Sequence, residues 1–267
     1  MKKTVGIIGS GSLGTIIGEG IVTHLKDSWE LVGIYNRTPD KGKKLADKLK
    51  VPYVETLELL INKRPDVIIE GTIVDVLKEI AVPVLNAGCD LIPLSIGGFA
   101  CEAFKKEVEE VARQSGSRIH LVPGAIGGFD FIQGALLKSP LRAKIVSTKS
   151  PVSLQGAPGL KEPLPEDREV VAFSGNAKEA ILKFPKNVNV AVALSLATEL
   201  PPEKTEVEIV SVPGLKVNSH KVTIEGQFGS AEFTIQSKPS AINPKSSETA
   251  ALSVLAKLKN MNTPLAF

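Results

Sequence analysis

Three glycines do most to constrain what the first half of this chain can become. Gly9, Gly11 and Gly14 stand in the spacing G-x-G-x-x-G, directly after the apolar run at residues 4–8 and at the start of a segment with helical periodicity. A strand that turns at once into a helix needs Gly9 for the tight turn, Gly11 for close approach of a pyrophosphate to the backbone, and Gly14 for close helix packing. The helix N-terminus adds N–H donors and the positive end of its dipole. Gly9, Gly11, Ser12, Leu13 and Gly14 therefore read as a dinucleotide-phosphate loop.

The alternation continues beyond the loop. Residues 31–35, 67–69, 90–94 and 118–122 are short and β-branched, and residues 13–25, 39–49, 74–87 and 101–115 carry apolar positions at helical spacing. Strand–helix repetition of this kind predicts α/β architecture with a doubly wound parallel sheet, a Rossmann domain. Thr38 as N-cap with Pro39 at the first helical position marks the start of the second helix. After about residue 121 the pattern changes to a Gly-rich run, a long loop at 150–165, helices at 176–183 and 189–198, and three apolar stretches at 205–212, 217–225 and 229–236. These last come without intervening helices, which predicts an α+β domain with a mainly antiparallel sheet. The expected division is residues 1–121 plus a C-terminal helix of about 246–267, capped by Ser246 or Ser247, against residues 122–245.

Composition narrows the partners. The chain has 43% hydrophobic and 23% charged residues, and 32 Lys+Arg against 29 Asp+Glu leave a net +3, too balanced for a nucleic-acid binder. Only Cys89 and Cys101 occur, with no metal-ligand pairing around them, and no apolar run is long enough to span a membrane. The reading is a protein of the reducing cytoplasm, with no metal, nucleic acid or membrane partner.

At the end of the second strand an NAD-specific site usually carries an acid for the ribose hydroxyls. Here the tract is Tyr35-Asn36-Arg37-Thr38. Asn36 does not repel a 2′-phosphate, Arg37 can clamp it and Thr38 can donate to it, so NADP or NAD is expected, with NADP favoured; the bland alternative leaves Arg37 stacked on adenine or facing solvent. On the substrate side, residues 123–130 carry glycines after the 118–122 run, either lining the ligand crevice or serving as a hinge. Glu70-Gly71-Thr72 and Ser95-Ile96-Gly97-Gly98 belong to the same crevice edge. His24 and His120 read as structural. His220 lies in the second-domain sheet, where a rigid strand can aim a base, although a strand histidine taken alone is more often structural. The amides of Asn187 and Asn189 are polar candidates or helix caps, and Lys149, Lys216 and Lys245 are candidates for carboxylate binding.

Together these segments resemble the L-aspartate dehydrogenase family along nearly the whole chain. The resemblance is carried by Gly9 to Gly14, Gly88-Cys89-Asp90, the Pro-Gly-Ala-Ile-Gly-Gly run from Pro123, the Phe-Pro-Lys-Asn-Val-Asn-Val-Ala run from Phe184, Asn218-Ser219-His220, and the Pro-Ser-Ala-Ile-Asn-Pro-Lys-Ser-Ser run from Pro239. It implies a homodimer that oxidises L-aspartate with NAD or NADP to iminoaspartate, then oxaloacetate and ammonia, in pyridine-nucleotide synthesis. By that similarity His220 takes the active-site position, and Ala125 and Asn189 take nicotinamide-cofactor positions. As general base and then acid, His220 is expected to titrate near neutrality. Two places depart from the family pattern: Glu70-Gly71-Thr72-Ile73 stands where Glu-Ala-Ala-Ser is expected, and Asn36 replaces the second-strand acid. A reductase of another small amino or keto acid, such as homoserine dehydrogenase or dihydrodipicolinate reductase, is the alternative enzyme; a non-catalytic NADP sensor is the alternative of another class.

Overall fold

The structure, a computed structural model, describes residues 1–185, 189–238 and 248–266. The chain forms two compact units, residues 1–122 with 250–267, and residues 123–249. In the first, β1 (Lys3–Ile8), α1 (Ser12–His24), β2 (Trp29–Tyr35), α2 (Pro39–Leu49), β3 (Tyr53–Val54), α3 (Leu57–Ile61), β4 (Val67–Glu70), α4 (Val74–Asn86), β5 (Asp90–Pro93) and α5 (Glu102–Ser115) follow in order. The sheet is parallel in the order β3-β2-β1-β4-β5. All four β4 residues are buried, as expected of a strand covered on both faces.

The run at 118–122, expected as a strand, is an isolated bridge. Ile119 pairs with Leu91 through Leu91 N–H to Arg118 C=O and His120 N–H to Leu91 C=O, 2.8 Å each. The next rung needs an N–H from Pro93, which has none, so the ladder stops there. His120 is held by Asp90, Nε2 to Oδ2 2.7 Å. His24 is the exposed basic residue in the last turn of α1, where it faces the negative end of the helix dipole. Thr38 has the extended backbone of an N-cap, but its side chain makes no capping bond.

The C-terminal helix of the chain, numbered α10 (Thr249–Asn260), inserts Ala251, Val254 and Leu258 into the apolar cluster that also holds Ile17, Ile21, Trp29 and Leu31. Trp29 Nε1 donates to Leu258 C=O at 2.9 Å, and a Cβ on Gly20 would lie 2.3 Å from Leu255. Fully burying Val254 and Leu258 contributes about 1.5–3 kcal/mol each. The caps expected at Ser246 or Ser247 lie outside the described residues.

The second unit contains α6 (Phe129–Leu136), β6 (Arg142–Lys149), α7 (Pro151–Leu154), β7 (Val170–Asn176), α8 (Ala177–Lys183), α9 (Asn189–Ala197), β8 (Glu206–Ser211), β9 (Asn218–Gly226) and β10 (Gly229–Ser237). Its sheet runs β10-β9-β6-β8-β7, antiparallel except for the parallel pair β6–β8. Two strands, β6 and β7, are additional to those expected from sequence, and β6 is central: it separates β8 from β9, which are successive in the chain but not paired. Ala143, Ile145, Val207, Ile209, Val222 and Ile224 are buried along this sheet, and α9, buried over most of its length, packs against β6. Asn176 caps α8 by accepting from Glu179 N–H at 3.0 Å.

Candidate active site

In the first unit the glycine loop does what its spacing predicts. Gly9 has φ +106°, and a Cβ there would lie 2.5 Å from the Gly71 carbonyl; a Cβ on Gly14 would lie 2.2 Å from the Gly9 carbonyl. Gly11 is the opposite case, with nothing within 4 Å of an added Cβ. It is the N-cap of α1, whose first turn carries no acidic side chain, so the positive helix end is unopposed. A cavity of about 440 Å³ opens over the loop, bounded also by Asn36, Arg37, Thr38 and Lys41 after β2 and by Gly71 to Ile73 after β4. Room at Gly11, tight packing at Gly9 and Gly14 and an electropositive helix end fit a dinucleotide pyrophosphate.

Asn36 is the keystone of this rim. Its Oδ1 accepts from Ser10 N–H at 3.1 Å and its Nδ2 donates to Thr38 C=O at 2.8 Å, two roles that an aspartate cannot fill together because it has no donor. Arg37 is exposed and makes no hydrogen bond or ion pair among the described residues, and Lys41 adds a second cation that the sequence analysis did not single out. Glu70, at the end of β4, is fully buried and accepts five bonds. These come from Thr72 N–H and Oγ1 at 2.6 Å each, Leu94 N–H at 3.2 Å, Ser95 N–H at 3.0 Å and Ser95 Oγ at 2.8 Å. The two loops read from sequence as crevice edges are thus pinned together by one carboxylate.

In the second unit, strand register assembles a polar belt from four strands. His220 on β9 lies opposite Ser147 on β6 and Ile235 on β10; Lys149 on β6 lies opposite Ser211 on β8; Asn218 on β9 lies opposite Ser237 on β10. Paired residues, and residues two apart, share a face of the sheet. His220, Ser147, Lys149, Asn218, Ser211 and Ser237 are therefore on one face, and all are buried. His220 Nδ1 and Ser147 Oγ are 2.9 Å apart, the donor being set by the tautomer. Burial first, and the Lys149 ammonium second, push the His220 pKa down to about 3; burial alone pulls Lys149 down to about 8. The expectation that His220 titrates near neutrality is corrected accordingly. Strand register buries the imidazole in the sheet and sets the Lys149 cation on the same face, which no residue type reveals.

These shifts have a sign in folding. Between about 3 and 6.5 the unfolded chain binds a proton at His220 that the folded chain does not, so stability rises with pH through that window and is lost on acidification. Lys149 acts in the same direction between about 8 and 10.5, where deprotonation relieves its burial. At ~1.4 kcal/mol per pKa unit, His220 accounts for several kcal/mol of the loss on acidification through that window. Urea titrations from pH 3.5 to 7 should show a steeper rise for the wild type than for His220→Gln; parallel curves would remove His220 as the source.

Of the other expected residues, Ala125 is half-buried in the turn made by Ile126 N–H to Pro123 C=O, and Asn189 opens α9. Lys216 is exposed. Asn187 and Lys245, with the rest of 186–188 and 239–247, lie outside the described residues. Among the described residues no three His, Cys, Asp or Glu side chains converge as a metal site, and no helix is long and apolar enough to cross a membrane.

Comparison with known proteins decides the family. Residues 130–261 match the family described as "Aspartate dehydrogenase, C-terminal", and residues 5–122 match "Homoserine dehydrogenase, NAD binding domain". An L-aspartate dehydrogenase of Methanospirillum hungatei is 34% identical over 98% of this chain and 97% of its own length. The chain belongs to the L-aspartate dehydrogenase family. Membership makes it an oxidoreductase with a pyridine-nucleotide cofactor. Another family member, from Methanosarcina barkeri, is 33% identical over 98% of this chain and 97% of its own. The crystal structure of aspartate dehydrogenase from Thermotoga maritima covers 100% of both chains at 26% identity with a TM-score of 0.79. A hyperthermophilic archaeal homoserine dehydrogenase solved with NADPH has a TM-score of 0.64 at 13% identity and shares the fold alone.

Proposed function

We propose that this chain catalyses the reversible oxidation of L-aspartate to iminoaspartate, and thence oxaloacetate and ammonia, with NADP preferred over NAD. The observation that carries this reading is the buried His220 with a buried lysine on the neighbouring strand, Lys149, that has no ion-pair partner among the described residues. A base and a cation placed in this way suit an amino acid with carboxylates. When bound, the nicotinamide supplies the hydride acceptor. Gly9, Gly11, Ser12, Leu13 and Gly14 hold the pyrophosphate, and Ala125 and Asn189 take the nicotinamide positions suggested by the family resemblance.

The remaining chemistry is proton handling. Iminoaspartate forms when the substrate nitrogen loses protons and Cα loses a hydride, so a neutral base must face the nitrogen. His220 is neutral at physiological pH. With Nδ1–H donating to Ser147 Oγ, its Nε2 lone pair is left to take the proton. A substrate carboxylate beside Lys149 then offsets the field that holds the imidazole pKa down, so His220 becomes a stronger base when substrate is present. The same group, once protonated, returns the proton during hydrolysis of the imine.

The test is NADPH and NADH oxidation with oxaloacetate plus ammonium, beside NADP and NAD reduction with L-aspartate. Turnover is expected in both directions; NADP binding without turnover would sink the aspartate assignment and point to the Gly71-Thr72-Ile73 departure and another amino or keto acid. Arg37, Thr38 and Lys41 form the 2′-phosphate clamp in this reading. Arg37→Ala should weaken NADP by roughly 10- to 100-fold, the cost of a charge-assisted bond, while changing NAD little. An unchanged NADP/NAD affinity ratio removes Arg37 from the clamp. The family resemblance supports a homodimer, checked by light scattering, and two cysteines outside any disulfide suit the cytoplasm.

A further inference from the structure

The polar belt contains more donors than an acid/base step uses. Lys149, Ser211 and Asn218 occupy adjacent positions at one end of the sheet, with 6%, 0% and 4% of their surfaces exposed. Lys149 makes no ion pair or hydrogen bond among the described residues, Asn218 makes no side-chain bond among them, and Ser211 Oγ is buried without a partner. Burying polar groups without partners is costly, and burying a lone charge more so. The belt contains no acid: the side chains beside Lys149 on its face are Ser147 along β6, Ser211 on β8, and Asn218 and His220 on β9. Three unsatisfied donors, one of them cationic, side by side on a rigid sheet, form a cradle for an anion.

We propose that Lys149, Ser211 and Asn218 are the carboxylate-binding subsite of this chain and select dicarboxylic substrates. This rests on the dehydrogenase reading above for the identity of the substrate, but not for the chemistry of the cradle. Ser211 has not been implicated by any sequence motif. Of the two described lysines singled out from sequence, Lys216 is exposed and Lys149 is on the face that carries His220. The α-carboxylate and the side-chain carboxylate share the chemistry that the cradle recognises.

The first readout is direct binding of succinate, an unreactive dicarboxylate, to the full chain saturated with NADP, by calorimetry. The wild type is expected to bind, Lys149→Met to lose about 30-fold or more in affinity, as when one partner of a buried charge pair is removed, and Ser211→Ala about 3- to 10-fold. NADP affinity should be unchanged in both. The Tm of Lys149→Met without succinate should rise, because an unpaired buried charge is removed; a lysine retained for structure would lower it. Succinate affinity unchanged in both variants overturns the subsite.

Kinetics with L-aspartate and L-asparagine separate the two carboxylates. A fall in kcat/KM for L-aspartate alone in Lys149→Met identifies the side-chain carboxylate, and an equal fall for both identifies the α-carboxylate. No fall for either overturns the proposal. The outcomes also separate the two readings. Succinate binding that depends on Lys149 without L-aspartate turnover leaves the subsite standing and removes the aspartate reaction; turnover with succinate binding independent of Lys149 does the reverse.

Discussion

Replacing His220 with alanine should lower kcat by roughly 10²- to 10⁴-fold, the usual contribution of a positioned acid/base, while leaving NADP affinity unchanged. His220 is 4% exposed and its one hydrogen-bond partner among the described residues, Ser147, is a strand neighbour, so the variant creates a cavity and leaves one hydroxyl short of a partner. His220→Gln is therefore measured beside it, because the amide keeps volume and a hydrogen-bonding group but cannot take the proton. Both variants should have low kcat with far-UV dichroism and NADP binding like the wild type. Near-wild-type turnover in either folded variant would end the assignment. The pH profiles add an independent readout. In the free protein burial and Lys149 hold the pKa at about 3, and substrate carboxylates raise it, so protonation of His220 should limit kcat at higher pH than it limits kcat/KM. Coincident acid limbs would mean that substrate does not reach the field around Lys149.

The division between what the sequence reveals and what it conceals follows from which forces act locally. The glycine loop is legible because its requirements are steric: Gly9 and Gly14 each face a backbone carbonyl closer than a Cβ tolerates, a constraint stated in the spacing itself. The parallel sheet is legible because strands buried on both faces read as apolar runs. By contrast, β6 escapes detection because its inward positions run Ala143, Ile145, Ser147, Lys149. Alternation is intact, but its second half alternates polar residues, since that end of the strand builds the belt rather than the core. The strand that carries the candidate site is thus camouflaged by the site. The false strand at 118–122 is the reverse case: its residues are apolar enough, but its partner carries a proline where an N–H is needed. His220 stood out as a residue type, whereas its alignment with Ser147, and that of Lys149 with Ser211, depend on register across strands some 60 to 75 positions apart in sequence, which no local pattern encodes.

Glu70→Ala should be the most damaging single change in the first unit, lowering stability by about 2–6 kcal/mol and cofactor affinity with it. The carboxylate closes a circuit between the end of β4 and the loop after β5. When it is removed, Thr72 N–H loses its acceptor in a part-buried place and Ser95 N–H in a buried one, at about 1–3 kcal/mol each. Leu94 N–H is less affected, because it also donates to the Glu70 carbonyl at 2.9 Å. Gly71 and Thr72 bound the cofactor cavity, and the Gly71 carbonyl is the atom that forbids a side chain at Gly9. Loosening this loop therefore loosens the wall against which the phosphate loop is packed. Glu70→Gln separates the two effects: its amide keeps one acceptor oxygen and places an NH2 where donors already converge, so it should lie between alanine and wild type in stability. Urea denaturation of the three proteins, with and without NADP, measures both consequences, since a ligand that binds only the folded state stabilises it according to its affinity. An alanine variant as stable as the wild type, with the same stabilisation by NADP, would show that the five bonds to Glu70 are replaceable and that the departure at Gly71-Thr72-Ile73 is not anchored by it.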